Sequence, residues 1–228
     1  MDRLFQSIKI SVNDKIFVKD PESSALGKTI VEESISMIHE MGFDKFTFKK
    51  LGDRIGSNES SIYRYFENKH KLLLYLASWY WGWLEYQLVF ATNSIADAAK
   101  KLDKAIEIVT QTTEEDSSFS HINEVLLNKI VIHEYSKSYL TKEVDKENRE
   151  GYFEIYKRLV NRISEMIAAA DRDYPYPSSL ASTVLEGSLH QHFLLDHFSS
   201  LTDCLEHTDP THYLKHLVFN SLNLPTNG

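Results

Sequence analysis

Two short apolar stripes set almost end to end constrain this chain more than any other feature. In FTFKKLGDRIGSNESSIYRYFENKHK, residues 46–71, Thr47 can open a helix whose Phe48, Leu51 and Ile55 share one face at three- and four-residue spacing. Gly56 and Ser57 interrupt that period, Asn58 offers an N-cap side chain, and Ile62 and Phe66, four apart, start the stripe again. Two amphipathic helices joined by so few residues, with Gly at the bend, suit a helix-turn-helix whose second helix enters the major groove of DNA. Charge points the same way. Residues 45–71 hold seven basic side chains (Lys45, Lys49, Lys50, Arg54, Arg64, Lys69 and Lys71) against three acidic ones (Asp53, Glu59 and Glu67). The local balance is thus +4 in a chain of net charge −8, with positive potential concentrated where a polyanion would be met.

The run resembles the DNA-binding domain of the TetR family of bacterial transcriptional regulators. Gly42 closes a first helix, Phe46-Thr47 opens a second, and Gly56 sits in the turn. Ile62-Tyr63-Arg64-Tyr65-Phe66, Lys69 and the pair Leu72-Leu73 follow. The resemblance covers about residues 26–75, and its specificity comes from many positions agreeing at fixed spacing. It implies an all-α chain: an N-terminal three-helix helix-turn-helix domain, then a C-terminal helical domain for ligand binding and dimerisation. Residues 1–23 would be an extension, 24–70 the DNA-binding domain and 71–228 the regulatory and dimerisation domain. Function would follow from that plan. A homodimer, most simply a repressor, would hold a palindromic double-stranded operator and be released by a small-molecule inducer. The alternative is a helical interaction module whose body docks a protein or membrane-associated partner.

Site residues follow position by position. Asn58, Glu59, Ser60 and Ser61, at the start of the second helix, are the candidates for base edges. Glu59 can accept from a cytosine amino group, and Asn58 has a competing role as the helix cap. The resemblance implies phosphate contacts at Tyr63, Tyr65 and Lys69. Thr47 begins a helix that can offer backbone N–H groups to phosphate, and Lys49 and Arg64 complete the DNA-facing set, with solvated surface as the competing role of Lys49. The segment Ser57-Asn58-Glu59-Ser60-Ser61 departs from the commoner family wording, so no known operator carries over.

The rest of the chain carries no matched motif. Charge divides unevenly, since residues 1–75 hold 12 basic and 11 acidic side chains and the remainder 13 and 22. An acidic body repels the duplex and confines contact to the N-terminal module. No apolar run is long enough to span a bilayer, and MDRLFQSIKI lacks the apolar core of a secretion signal. A cytoplasmic protein with no membrane insertion is therefore expected. Cys204 is the single cysteine, which excludes an intrachain disulfide and fits a reducing compartment.

Near the N-terminus, Ile8, Ile10 and Val12 alternate with polar residues, Asn13-Asp14 is a turn pair, and Ile16 and Val18 resume. A small hairpin is expected there, with a disordered arm as the runner-up. Helices are expected at about 24–41, 69–93, 95–111, 119–140, 146–171, 178–201 and 209–222, with no strand after residue 25. Trp79, Trp81 and Trp83 in the second of these cannot share one face, so that helix must be covered on more than one side. Trp83, Tyr86, His133 and Tyr156 are the candidates for an inducer pocket, against a competing role in core packing. His212 and His216 stand four apart, and His190, His192, Asp196 and His197 cluster. Without further cysteines or a close carboxylate pair, a structural reading is preferred, and no metal or cofactor is expected. Gly-rich phosphate loop, nucleophile elbow and paired acids with a companion base are all missing, so catalysis is not expected.

Overall fold

The fold is described from a computed structural model over residues 10–113, 121–204 and 210–225. Eleven α-helices are assigned among these residues, and no strand. They are α1 (Ala25–Met41), α2 (Phe48–Arg54), α3 (Glu59–Tyr63), α4 (Lys69–Thr92), α5 (Ala98–Thr110), α6 (Glu124–Glu134), α7 (Ser136–Tyr139), α8 (Val144–Arg149), α9 (Glu154–Ala170), α10 (Pro177–His197) and α11 (Pro210–Ser221). The chain forms two compact units, one of residues 1–82 with 113–155 and the other of 83–112 with 156–228. Helix α4 begins in the first and ends in the second. Residues 72–85 of it are buried without interruption, Trp79, Trp81 and Trp83 included, as the two-apart tryptophans required.

In the first unit, the Ser24 side chain caps α1 by accepting from the Gly27 N–H, and Gly42 ends the helix at φ +77°. Ile30, Val31, Ile35 and Ile38 form its buried face, and α1 packs on α2 and α6. The expected hairpin is absent among the described residues; Ile8 lies outside them. Asn13 and Asp20 instead cap two 3-10 turns, Asp14–Ile16 and Pro21–Ser23, each accepting from the backbone two residues on. Residues 10–24 run as an irregular strap, fastened to the rest of the unit by backbone and side-chain groups. The Val18 N–H donates to the Tyr65 carbonyl at 2.8 Å, and Asn13 Nδ2 donates to the Glu150 carbonyl at 3.1 Å. Glu22 Oε1 accepts from Tyr75 Oη and lies 2.7 Å from His121 Nε2. Ile16 and Phe17 fasten the strap apolarly, the first wholly buried and the second edge-on to Tyr75 at 6.2 Å.

The long helix expected over 146–171 is two. Gly151, at φ +84°, ends α8 and lets α9 start afresh at Glu154. The segment expected at 119–140 likewise divides into α6 and α7 at Tyr135, with residues 119–120 outside the described part.

In the second unit, α5 packs on α10 and α11, and α10 on α11. Leu159, Ile163 and Ile167, four apart on α9, are fully buried. A carboxylate sits among these apolar faces. Glu85, near the end of the buried run of α4, accepts from Arg158 Nε at 2.7 Å and from Arg162 Nε at 2.6 Å. Its side chain is 9% exposed. Burial pushes the Glu85 carboxyl up, and the two guanidiniums four residues apart on α9 outweigh it, so the group titrates below its ordinary value of 4.5.

A group held low contributes stability above its ordinary pKa and loses it as pH falls through the lowered value. Glu85→Gln should therefore cost about 1–3 kcal/mol at neutral pH. In urea denaturation the gap from the unsubstituted protein should be full above pH 4.5 and close as the solution is made more acidic.

Candidate nucleic-acid interface

The helix-turn-helix is closed by local hydrogen bonds that its sequence specifies. Thr47 Oγ1 accepts from the Lys50 N–H at 3.3 Å and so caps α2. Gly56 turns the chain at φ +65°, and the Ser57 N–H donates back to the Gly52 carbonyl at 2.9 Å. Gly52 is needed for that approach, because a Cβ there would stand 2.8 Å from the Ser57 carbonyl oxygen. Asn58 then caps α3. Its Oδ1 accepts from both the N–H and the hydroxyl of Ser61, each at 2.9 Å. Leu51, Ile62 and Phe66 are fully buried beneath the two helices, while Ile55, expected on the same stripe, is half-buried at the C-cap of α2.

On the outer side, Thr47, Lys49, Asn58, Ser60, Tyr63 and Arg64 are exposed, and Glu59 and Ser61 are half-buried. Tyr63 is 47% exposed. Its ring meets Phe48 edge-on at 5.1 Å, and its hydroxyl donates to Glu59 Oε1 at 3.1 Å. That bond, next to a negative charge, raises the Tyr63 phenol above its ordinary value.

Two residues expected to meet phosphate are turned inward. Tyr65 is 4% exposed. Its hydroxyl lies 2.8 Å from Ser24 Oγ and 3.4 Å from Lys19 Nζ, and these partners hold the phenol below its ordinary value. Lys69 Nζ donates to the carbonyls of Phe43, Asp44 and Phe46 at 2.9, 3.1 and 3.2 Å. An ammonium has three donors, and all are committed to the loop between α1 and α2. Both residues therefore leave the DNA-facing set, because burial and protein partners have taken their polar ends.

The same accounting thins the cationic cluster. Arg54 is engaged by Glu33 and Glu40, and Lys71 reaches the Lys15 carbonyl and the Tyr152 hydroxyl. Lys50 donates to the Lys45 carbonyl. Exposed cations of this cluster without an ion-pair partner among the described residues are Lys45, Lys49, Lys50 and Arg64, and of these Lys50 is tied to a backbone carbonyl. Lys45 stands exposed in the loop before α2, and its place in the basic run of residues 45–71 is the signal the sequence offers.

The loop between α1 and α2 is also gripped from α6 and α7. Glu134 Oε1 accepts from the Phe43 N–H at 3.0 Å. Lys137 reaches both Asp44 and Glu134 at 2.8 Å, and the two carboxylates hold its ammonium above its ordinary value.

The inducer candidates are distributed between the units. In the second, Trp83 is buried, Tyr86 stacks on Phe90 at 6.1 Å, and Tyr156 Oη donates to Glu186 at 2.8 Å. His133, in the first, is exposed, and its Nδ1 donates to the Lys129 carbonyl. A pocket of about 470 Å³ in the second unit has other walls, among them Gln191, Thr202, Cys204, His212, Tyr213 and His216. Among the described residues no three His, Cys, Asp or Glu side chains group so as to hold a metal ion, and no helix is long and apolar enough to cross a membrane.

Residues 30–76 match the profile of the family described as bacterial regulatory proteins, tetR family. Three solved structures share the fold over most of their length. AibR, in complex with isovaleryl coenzyme A and operator DNA, is 17% identical with a TM-score of 0.57, over 86% of this chain and 97% of that one. The fatty acid degradation regulator FadR from Bacillus halodurans is 14% identical with a TM-score of 0.58, over 88% and 96%. The superantigen PfiT is 15% identical with a TM-score of 0.58, over 89% and 97%. At such identities the likeness speaks to fold and not to ligand or partner. No curated protein matches the sequence significantly.

Lys69→Ala removes three hydrogen bonds from carbonyls of the loop that leads into α2. It should lower stability by about 1–3 kcal/mol in urea denaturation. An unchanged midpoint would show the ammonium to be dispensable there.

Proposed function

We propose that this chain, a TetR-family regulator by its N-terminal module, works as a homodimer that reads a palindromic operator with one α2–α3 pair per half-site. It represses transcription in the cytoplasm and releases DNA when a small molecule enters its helical body. In this reading residues 24–70 bind DNA, 71–228 regulate and dimerise, and 1–23 precede them. One observation carries the DNA half: α3 begins on an exposed Asn58 cap, with Ser60, Tyr63 and Arg64 outward and Lys45 and Lys49 exposed in the same module. Thr47, Lys49, Glu59, Ser60, Ser61, Tyr63 and Arg64 form the working contact set.

A single pair of helices reads about half a turn of groove, too little for a useful site, and a twofold copy about 34 Å away doubles it. Exposed apolar side chains on and next to α10 and α11, namely Phe198, Leu201 and Tyr213, support self-association through that region. Release requires a ligand with different affinity for two conformations of the dimer. Trp83, Tyr86, His133 and Tyr156 are the residues proposed to meet it. The isovaleryl coenzyme A in the AibR complex makes a short acyl-coenzyme A the first compound to test.

Duplex DNA from upstream of the chain's own gene, titrated at several salt concentrations, tests this. Specific binding should weaken steeply with salt, and Lys49→Ala and Arg64→Ala should each flatten the slope by about one. Sedimentation should give twice the chain mass. Salt-independent binding, or a monomer on DNA, would sink the reading.

A further inference from the structure

The outward side of α3 offers few groups with a fixed hydrogen-bonding sense. Asn58 Oδ1 and the Ser61 hydroxyl are committed to the cap, which leaves the Asn58 amide nitrogen as a donor at the start of α3. Ser60 is exposed, but a hydroxyl rotates and can donate or accept, so it separates bases weakly. Arg64, at the C-cap of α3, lies past the turn that enters a groove. Glu59 differs from all of these. Its carboxylate only accepts, and Tyr63, one helical turn on, holds it at 3.1 Å. The Tyr63 ring is itself braced on Phe48 at 5.1 Å, and Phe48 is buried in the core of the module. The chain of contacts runs from core to ring to hydroxyl to carboxylate, so the acceptor is oriented before DNA arrives.

An oriented anion in a module of net positive charge is a poor partner for phosphate. In the major groove it matches a base that presents a donor. Cytosine presents its amino group as its sole polar major-groove group, whereas adenine sets an acceptor beside its amino group, which a carboxylate would oppose. The geometry points to Glu59 as the residue that selects one cytosine in each half-site, with Tyr63 as its positioning residue rather than a phosphate contact. The inference rests on the operator-binding reading above and deepens it.

Selection from a pool of random duplexes, using the full chain, tests it. The unsubstituted protein should recover a palindrome with cytosine at one fixed position per half-site. Glu59→Gln should lose that preference about tenfold while binding random duplex more tightly, because a negative charge is gone. Tyr63→Phe keeps the ring on Phe48 and loses only the hydroxyl. It should relax the same position and no other. A uniform loss of affinity for all sequences, with the cytosine preference kept, would mark Tyr63 as a phosphate contact and overturn its assigned role. If the unsubstituted protein recovers a palindrome and Glu59→Gln recovers the same one with equal discrimination, the inference fails while the operator reading stands. If no sequence is enriched at all, both fail.

Discussion

One ammonium group fixes the helix-turn-helix to the rest of the first unit. Lys69 opens the first turn of α4, and its three donors meet the carbonyls of Phe43, Asp44 and Phe46. Those carbonyls lie past the end of α1, where the chain has left helical pairing and must satisfy backbone groups otherwise. The ammonium also sits over the Phe43 ring at 4.7 Å, so a cation–π contact adds to the hydrogen bonds. Glu134 takes the Phe43 N–H on the other side of the same loop. The loop that aims α2 is thereby held by side chains of α4 and α6 together. A displacement of either helix would be passed to α2 through hydrogen bonds with little slack.

Charges in this protein therefore divide into those that build and those left for recognition, and a residue count does not separate them. Arg54 lies on α2 of the helix-turn-helix, yet Glu33 and Glu40 of α1 occupy it. Glu85 is the counterpart in the second unit, a nearly buried carboxylate matched by two half-exposed guanidiniums. In both places Arg supplies several donors in a planar fork and ties one helix to another. What remains exposed and uncommitted on the module is a smaller cationic set, with Glu59 as an oriented anion within it.

Features legible in the sequence were those with local causes. The caps at Ser24, Thr47 and Asn58 act over three residues, so residue type at the right spacing reveals them. Gly42 and Gly56 mark left-handed turns for a similar reason, and the three tryptophans forced α4 to be covered all round. Illegible features had distant causes. The alternation of Ile10, Val12, Ile16 and Val18 mimics a hairpin, but the partners of this segment lie 47 to 137 residues away, at Tyr65 and Glu150. Tyr65 and Lys69 occupy positions where the resemblance implied phosphate contacts, and only the fold reveals Ser24, Lys19 and three carbonyls at their polar ends. The break at Gly151 could have been read, since a Gly followed by Tyr and Phe interrupts a polar run. The division at Tyr135 had no Gly or Pro to mark it.

The strap also sets an order of events as the chain emerges from the ribosome. Residues 25–66 can pair among themselves as soon as they are made, because their contacts are short in sequence. Residues 10–24 cannot finish docking until His121 and Glu150 have been synthesised, and domains emerge from the N-terminus forward at about 5–20 residues per second. For several seconds, then, a formed helix-turn-helix coexists with an unfastened strap whose Ile10 still lacks Ile155, the side chain that shares its place beside Gly82. The nascent chain is open to aggregation or chaperone capture during that interval, and closing the strap ends it.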